Sequence, residues 1–423
     1  MTDQEQAARW LAGPDSESFL KAAAQMAGVS EVSEANALQR LAAEAAVLAA
    51  DADVLAPDAA RAAARLAWAM ARGRRRAVEK LGEEDGRRLL FDLDGLQMAS
   101  SARAANYHAA ILARAGAARV VDLTAGVGVD ALAFARAGLS VVAWERNPAR
   151  AALLRGNVAR FGLSDRIEVR LGDALGAALP DDAAVYLDPP RRSDAARWGG
   201  AEIADEFLKF AVDGPARPVL AKLSPALERR RLAGLDCVVE YVSLRGECKE
   251  ALARIGPLRT GLYGTAAVIL PDGARLAEQI DPLHIDFRAP NEAAWLYEPD
   301  AAVVAAGLTL QLAHDLNLAH LDPGCGYLLG DESVETPFAD RYKILAAMPY
   351  RAKTVRAWLA ERGMGRLVVK KRGVPDDPET VRRALAVEGD KEAVLILAKE
   401  GKKVWAILTE PKEAAERRQP WSG

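Results

Sequence analysis

Residues 120–192 alternate short apolar runs with helical patterns, and this alternation limits what the chain can fold into more than any other feature. Each run is rich in β-branched residues and ends at a small or acidic residue. Strands that alternate with helices in this way indicate parallel βαβ units. The runs lie at 119–123, 139–144, 167–170 and 185–187. Because ligands of such sheets bind beyond the carboxyl ends of the strands, the residues that follow each run form the candidate site.

The first run ends at Asp122 and leads into a short glycine-containing loop, Thr124-Ala-Gly-Val-Gly128. Gly126 and Gly128 have no Cβ, so the backbone can turn tightly, approach a ligand closely and offer its N–H groups to polar atoms. Together with Ala131, the two glycines also fit the G-x-G-x-x-A dinucleotide pattern. The loop alone therefore leaves a nicotinamide-dependent dehydrogenase open.

Acids also follow the next three runs. Glu145 ends the second run, where a carboxylate can bind both hydroxyls of a ribose, and Asp173 follows the third, where an adenine amino group would arrive. The fourth run leads into Asp188-Pro-Pro-Arg-Arg192, for which a dehydrogenase has no use. The whole set therefore disfavours a nicotinamide cofactor.

In these motifs the chain resembles class I S-adenosylmethionine-dependent methyltransferases. The resemblance implies S-adenosylmethionine as cofactor, a glycine loop that holds its methionine part, acids that hold its ribose and adenine, and an Asp-Pro-Pro motif that meets the methyl acceptor. The cofactor-binding residues that it implies are Asp122, Thr124, Ala125, Gly126, Gly128, Glu145, Arg146, Asp173 and Ala174. The catalytic residues that it implies are Asp188, Pro189 and Pro190.

One position departs from the family pattern, because Thr124 stands where the usual D-x-G-x-G-x-G loop has its first glycine. Small-subunit rRNA guanine-N2 methyltransferases have similar loops, and the chain resembles them further in TAGVGVDA and ERNPARAALL. Uridine-C5 methyltransferases share the Asp-Pro-Pro-Arg motif but need a cysteine just after the fifth strand, where this chain has Lys222-Leu-Ser-Pro225. Without that nucleophile, C5 methylation is disfavoured.

A base nitrogen is the methyl acceptor that this pattern favours. An exocyclic amine is a poor nucleophile because its lone pair is conjugated with the ring. Asp188 can accept a hydrogen bond from the amine and stabilise the positive charge that develops during in-line transfer of the sulfonium methyl, with the Pro189 carbonyl as a second acceptor. Arg191 stands where amino-directed methyltransferases usually have an aromatic residue. Since a guanidinium can stack on a base or bind a phosphate, the acceptor atom stays open.

The predicted fold is α/β: a Rossmann-like, seven-stranded class I methyltransferase core between an N-terminal helical domain and C-terminal α+β units. Strands five, six and seven of the core are predicted at 218–223, 235–242 and 265–270. The C-terminal part resembles that of bacterial methyltransferases in which a small ferredoxin-like unit precedes a THUMP-like domain. The predicted domains are 1–95 (helical), 96–270 (methyltransferase), 271–335 (ferredoxin-like), 336–411 (THUMP-like, RNA-binding) and 412–423 (tail).

Charge is distributed unevenly along a chain whose formal net charge is only −3. Residues 1–60 carry three basic and ten acidic residues, whereas residues 341–373 carry ten basic residues against one glutamate. Basic residues just after a predicted strand suggest phosphate contact, and the THUMP-like resemblance implies an RNA partner, rRNA or tRNA. A solvated basic surface is the alternative. The expected substrate-binding residues are Arg191, Arg192, Lys370, Lys371 and Arg372.

Other features of the composition narrow the class of protein. The three cysteines are too few for a disulfide scaffold and lack metal-ligand spacing, so we expect no metal, and Cys237 is expected to be a buried thiol within a strand. The chain has no apolar run near 18 residues and no charged-then-apolar leader, which predicts a cytoplasmic protein without membrane contact. Two alternatives stay open: a methyltransferase of DNA or another non-RNA substrate, and a non-catalytic RNA-binding protein that retains the fold.

Overall fold

The computed structural model describes most of the chain and divides it into two compact units. The described residues are 1–28, 33–50, 55–189, 206, 208–210, 212–213, 217–226, 236–279 and 286–411. The first unit consists of Met1–Val238 with Leu252–Leu262, and the second of Val239–Ala251 with Tyr263–Gly423.

Helices form the N-terminal part of the first unit, as the spacing of apolar residues predicts. They are α1 (Asp3–Ala12), α2 (Glu17–Ala27), α3 (Glu34–Ala50), α4 (Pro57–Leu81) and α5 (Glu83–Arg88). The long helix α4 begins with a proline in its first turn and packs against α1, α2 and α3 through a face made mainly of alanines. Small side chains there allow the helices to approach closely. No helix in the described ranges is both long and apolar enough to cross a membrane.

Two further helices connect this bundle to the sheet: α6 (Leu93–Met98) and α7 (Ala102–Arg114). Each begins at a side chain that satisfies a free backbone N–H of the first turn. Asp92 accepts a hydrogen bond from Gly95 N, and Ser101 accepts one from Ala104 N.

A parallel sheet forms the centre of the first unit, with the strand order β3-β2-β1-β4-β5. Its strands are β1 (Arg119–Asp122), β2 (Ser140–Glu145), β3 (Ile167–Leu171), β4 (Ala183–Leu187) and β5 (Val219–Leu223), and helices α8 (Val129–Arg136) and α9 (Pro148–Arg160) connect the first three. Every residue of β4 and β5 is buried. Because the strands are parallel, their carboxyl ends lie along one edge of the sheet.

The prediction of 265–270 as the closing strand of the seven is wrong. Strand β6 (Cys237–Leu244) turns directly into β7 (Glu247–Ile255), and β7 is the neighbour of both β5 and β6 in the strand order. Arg245 and Gly246 have φ angles of 58° and 81°, as a two-residue hairpin turn requires. The start of β7, Glu-Cys-Lys-Glu, is so polar that its sequence does not resemble a buried strand.

Residues 265–270 form an additional strand of the second unit. This strand, β8 (Thr265–Leu270), pairs in parallel with β6 and antiparallel with β9 (Ala274–Ala277).

A seven-stranded sheet with the order β11-β12-β10-β13-β16-β15-β14 forms the rest of the second unit. The strands are β10 (Trp295–Pro299), β11 (Ala319–His320), β12 (Leu328–Gly330), β13 (Ala339–Pro349), β14 (Met364–Arg372), β15 (Lys391–Glu400) and β16 (Lys403–Thr409). Strands β14 and β15 are parallel, and β15 and β16 form an antiparallel hairpin. One sheet therefore contains strands from both segments that the sequence predicts as separate small units.

Alternation along β15 divides its side chains between the two faces of this sheet. Leu395 and Leu397 pack with α12 (Ala352–Glu361) and α13 (Pro378–Leu385), whereas Ile396 faces a cluster that contains Tyr327 and Trp405. Two other helices, α10 (Ala301–Ala306) and α11 (Thr309–Asp315), follow β10. Gly307, in the left-handed conformation, ends α10.

Candidate active site

The carboxyl edge of the parallel sheet brings together three of the predicted acids. Asp122 ends β1, Glu145 ends β2, and Asp188 follows β4, the other neighbour of β1. Both Glu145 and Asp188 lie close enough to Asp122 to act on its carboxylate electrostatically. The predicted convergence of strand ends is therefore present in the structure.

The glycine loop after β1 has the conformation that its sequence requires. Gly126 and Gly128 have φ angles of 57° and 95°, a region that other residues rarely adopt. A Cβ on Gly128 would lie 2.2 Å from Leu154 Cδ1, whereas one on Gly126 would have no atom within 4 Å. Ala125 N donates to Trp144 O at 2.9 Å and so anchors the loop to β2. The loop is thus packed on one side and open on the other.

Thr124, the departure from the family pattern, links this loop to the acid after β4. Its hydroxyl oxygen accepts a hydrogen bond of 2.6 Å from the backbone N–H of Asp188, while its own N–H donates to Asp122 Oδ1 at 3.0 Å. A glycine at this position has no side chain to make the first of these contacts. The threonine therefore fixes the distance between the glycine loop and the Asp-Pro-Pro motif.

Asp122 is fully buried, and its pKa is raised well above the usual range by that burial and by the negative charges of Asp130, Asp188 and Glu145. Its second oxygen, Oδ2, has no hydrogen-bond partner among the described residues. A buried acceptor without a donor is costly unless a ligand supplies one. The ammonium of a methionine moiety is such a donor, so the residues present fit S-adenosylmethionine.

The other predicted cofactor residues surround this edge of the sheet. Glu145 is buried and accepts a hydrogen bond of 2.7 Å from Asn147 N. Asp173 is exposed and accepts one of 3.0 Å from Leu175 N, while Ala174 is buried beside it. Arg146 is exposed.

Helix α6, which precedes the sheet in the chain, packs against the glycine loop. Gly95 approaches the loop so closely that a Cβ there would lie 2.7 Å from Val127 Cγ1. Asp92 Oδ1 and Oδ2 accept two hydrogen bonds, of 2.8 and 2.9 Å, from the guanidinium of Arg150 on α9. These contacts hold the segment before α7 against the candidate cofactor site.

Lys222, near the end of β5, is a site residue that the sequence interpretation does not include. Its ammonium donates to Asp188 Oδ2 at 2.6 Å and to Ser100 Oγ at 3.1 Å. The lysine side chain is 5% exposed and that of Asp188 is 25% exposed. The only signal in the sequence is a charged residue within the otherwise apolar run of β5.

A buried pair formed by His108 and Asp130 lies next to Asp122. The sequence interpretation does not include this pair either. His108 Nδ1 lies 2.8 Å from Asp130 Oδ1 and 3.3 Å from the hydroxyl of Tyr186. Burial by itself would raise the pKa of Asp130, but the hydrogen bond and charge of His108 outweigh it and leave the pKa below its usual value. Asp130 is therefore the ionised member of a buried polar network beside Asp122.

Part of the Asp-Pro-Pro motif lies outside the described residues. Pro189 is described and buried. Pro190, Arg191 and Arg192 fall outside the described residues.

The predicted basic cluster on β14 is largely occupied by contacts within the second unit. Lys370 forms an ion pair with Glu298 and donates to the Tyr342 hydroxyl at 2.7 Å. Arg372 lies 3.8 Å from Glu298 and stacks over the ring of Tyr327, 4.8 Å from its centroid. Lys371 donates to Pro375 O at 3.1 Å. An RNA phosphate would have to compete with these partners.

Exposed cations whose side chains contact no acid among the described residues lie instead on and before α12. Arg351, Lys353 and Arg356 are exposed, and no hydrogen bond or ion pair joins their side chains to another described residue.

The described residues contain neither a group of side chains arranged to bind a metal nor, at Cys237, a thiol activated as a nucleophile. Cys237 is half-buried at the start of β6, and burial raises its pKa, which disfavours the nucleophilic thiolate. No group of three or more His, Cys, Asp or Glu side chains in the described ranges is arranged to hold a metal ion.

A parallel sheet with a glycine loop after its first strand, acids after the next strands and an Asp-Pro motif after the fourth defines a class I methyltransferase. The family model "Putative SAM-dependent methyltransferase" matches residues 91–189, and the model "THUMP domain-like" matches residues 339–411. The chain therefore contains an S-adenosylmethionine-dependent methyltransferase region at 91–189 and a THUMP-like region at 339–411.

Known proteins resemble the chain over different lengths. An uncharacterized S-adenosylmethionine-dependent methyltransferase of Mycobacterium tuberculosis is 29% identical over 336 residues, which cover 78% of this chain and 90% of the relative. The ribosomal RNA small subunit methyltransferase J of Aeromonas hydrophila is 40% identical over 84 residues, or 17% of this chain and 33% of that protein. The crystal structure of a "putative methyltransferase from Porphyromonas gingivalis W83" has the same fold, with a TM-score of 0.63 and 22% identity over 88% of this chain and 98% of that one.

Proposed function

We propose that this enzyme methylates a base nitrogen, an exocyclic amine, of RNA, either rRNA or tRNA. The observation that carries the proposal is the position of Asp188. Its backbone N–H is held by Thr124 of the glycine loop and its carboxylate by Lys222. An acceptor that contacts Asp188 would therefore meet the cofactor loop at the same time.

Residues at the carboxyl edge of the sheet would hold the cofactor. In this proposal Asp122 accepts hydrogen bonds from the ammonium group of the methionine moiety. The open side of Gly126 admits the main-chain atoms of that moiety, and Glu145 binds the ribose. When bound, S-adenosylmethionine supplies an electrophilic methyl group on a sulfonium. The full set that we propose is Asp122, Thr124, Ala125, Gly126, Gly128, Glu145, Arg146, Asp173 and Ala174.

Asp188 would orient the acceptor and stabilise its developing charge. The lone pair of an exocyclic amine is delocalised into the ring, so a carboxylate that accepts one of its N–H bonds helps to localise that lone pair. The same carboxylate stabilises the positive charge that forms on nitrogen. The buried Pro189 restricts the backbone that carries the acid. Pro190 completes the proposed catalytic set.

RNA as substrate is supported by the THUMP-like match and by the rRNA methyltransferases that resemble the core over part of their length. The proposed contacts include Arg191, Arg192, Lys370, Lys371 and Arg372. Because Lys370 and Arg372 already contact Glu298, the exposed cations of α12 and Lys371 are better placed to meet phosphates first. The domain limits predicted from the sequence remain our proposal for how these functions divide.

Nucleoside mass spectrometry tests this function. RNA from cells with and without the protein is digested and compared, and one N-methylated nucleoside should be missing when the protein is absent. Unchanged RNA together with a methylated nucleoside missing from DNA would assign the enzyme to DNA. No change in either would refute a nucleic acid substrate.

A further inference from the structure

Lys222 occupies a position in β5 at which an apolar side chain would be expected. The strand reads Val-Leu-Ala-Lys-Leu, and all five residues are buried. Burying an ammonium costs free energy unless the charge is paired and its hydrogen bonds are made, and an apolar residue of similar volume often gives equal or greater stability. Stability alone therefore does not account for a lysine at this position.

The register of the sheet places this lysine opposite the candidate catalytic acid. Leu187 of β4 pairs with Ala221 of β5, so the next residues along the two parallel strands are Asp188 and Lys222. The ammonium contacts Asp188 Oδ2 at 2.6 Å. Ser100, between α6 and α7, accepts the second hydrogen bond of the ammonium at 3.1 Å and also contacts Asp130. Lys222 is thus fixed from two sides.

The charges around the pair show what the lysine contributes. Asp188 lies in a group of carboxylates around Asp122, which also feels the charges of Asp130 and Glu145, and Asp130 is itself paired with His108. Repulsion among carboxylates favours protonation of at least one of them, and a protonated Asp188 is a poor acceptor for an amine N–H. A cation in direct contact keeps this carboxylate ionised.

We propose that Lys222 is the positioning residue of the acceptor site: its ammonium holds one oxygen of Asp188, keeps the carboxylate ionised and fixes the direction in which it meets the acceptor amine. The inference rests on the proposed function, since it assigns Lys222 to the same site. With Thr124 holding the backbone N–H of Asp188, both ends of the residue are fixed before the substrate binds. Such preorganisation is worth most when a small displacement of the acid would misalign the acceptor.

The test compares Lys222→Met and Lys222→Arg with the wild-type chain. Methionine fills the buried space without charge, and arginine restores a cation with different geometry. Lys21→Met, on the exposed face of α2, is the matched control for loss of a lysine. Transfer of tritiated methyl groups to RNA from cells that lack the protein gives kcat and KM between pH 5.5 and 9, and calorimetry gives the Kd for S-adenosylmethionine.

We expect Lys222→Met to lower kcat by about 100-fold, to leave the cofactor Kd within about threefold and to move the acidic limb of the rate profile to higher pH. Lys222→Arg should recover part of the rate, and Lys21→Met should behave as the wild-type chain. A Lys222→Met variant with the wild-type rate, or with a lower rate but an unmoved acidic limb, would overturn the proposal.

A second measurement separates this inference from the proposed function. Carbon-13 NMR of aspartate-labelled protein, with Asp188→Asn to assign the signal, follows the titration of the Asp188 carboxyl without any substrate. The midpoint should move to higher pH in Lys222→Met. If it does so while wild-type protein methylates no RNA, the proposed substrate is wrong and the role of Lys222 is upheld; an unmoved midpoint contradicts the role of Lys222 whatever the substrate.

Discussion

At the scale of one residue, the buried and unpaired carboxyl group of Asp122 indicates a binding site for a cationic ligand. Its carboxyl group is fully buried, and one oxygen lacks a donor among the described residues. This burial, together with neighbouring carboxylates, raises its pKa well above the usual range. Because the folded-state pKa exceeds the unfolded one, the stability that the protonated form contributes is present below the unfolded pKa and is lost as pH rises through the folded pKa. Above the unfolded pKa this carboxyl group therefore opposes folding, and a cationic ligand that binds it relieves the cost.

The variant Asp122→Asn should separate stability from binding. Removing the buried charge should raise the melting temperature of the ligand-free protein at pH 7.5 by roughly 2–4 °C, and this gain should shrink as pH falls below the raised pKa and disappear below the unfolded pKa. Affinity for S-adenosylmethionine should fall by at least about tenfold, because the ammonium loses a charged partner. Calorimetric scanning and titration measure both quantities. A variant less stable than the wild-type chain at pH 7.5 would contradict this account of Asp122.

A second single-residue prediction concerns Asp188. Asp188→Asn keeps the size of the side chain but removes the charge, so methyl transfer should fall by about 100-fold or more while the cofactor Kd changes by less than about threefold. Asp165→Asn, at an exposed position, is the control and should have no effect. Turnover of Asp188→Asn at the wild-type rate would show that the acid does not stabilise the transition state.

At the scale of elements, the connection between β1 and β4 depends on one hydroxyl. Thr124 Oγ1 accepts a hydrogen bond of 2.6 Å from the backbone N–H of Asp188. The glycine that the usual family loop has at this position could not form this contact. This hydroxyl therefore joins the glycine loop to the backbone of Asp188.

Thr124→Val should break that connection while preserving shape. Valine is β-branched and of similar volume but cannot accept the hydrogen bond, so kcat should fall by about tenfold. Thr124→Ser retains the hydroxyl and should stay within about threefold of the wild-type rate. Steady-state transfer kinetics measure both variants, and equal rates for valine and threonine would mean that the contact does not position Asp188.

The elements also show what sequence patterns can and cannot predict. Apolar runs that end in acids identified β1 to β5 and placed Asp122, Glu145 and Asp188 at one edge, because local periodicity determines strands and parallel pairing aligns their ends. Strand β7 was missed because three of its first four residues are charged, so the sequence there does not resemble a buried strand. The contacts of Lys222, Ser100 and His108 join segments far apart in the chain, so no local pattern predicted them.

At the scale of the whole molecule, substrate choice depends on where cations are available. The sequence predicted the Lys370-Lys-Arg372 cluster, but the structure uses Lys370 and Arg372 to hold Glu298 within the sheet. Reversing those two charges would therefore disturb packing as well as any RNA contact. Helix α12 offers a cleaner test.

Charge reversal of Arg351, Lys353 and Arg356 to glutamate should weaken RNA binding at every sequence tested. Each lost phosphate contact lowers the slope of log Kd against log salt by about 1, so the slope should fall by roughly 2–3. Lys21→Glu, on a helix of the first unit, is the control. Fluorescence anisotropy at several salt concentrations gives the slopes, and an unaltered slope in the triple variant would exclude α12 from the RNA-binding surface.

The most direct test of the central claim is transfer of a trideuterated methyl group from S-adenosylmethionine to RNA by purified protein. RNA from cells that lack the protein is the substrate, and mass spectrometry of its nucleosides locates the label. We predict a single nucleoside with a trideuterated methyl group on an exocyclic nitrogen, formed by the wild-type chain and absent with Asp188→Asn. Wild-type protein that binds the cofactor yet labels no nucleoside, or that labels a carbon or ribose oxygen, would contradict the proposed reaction.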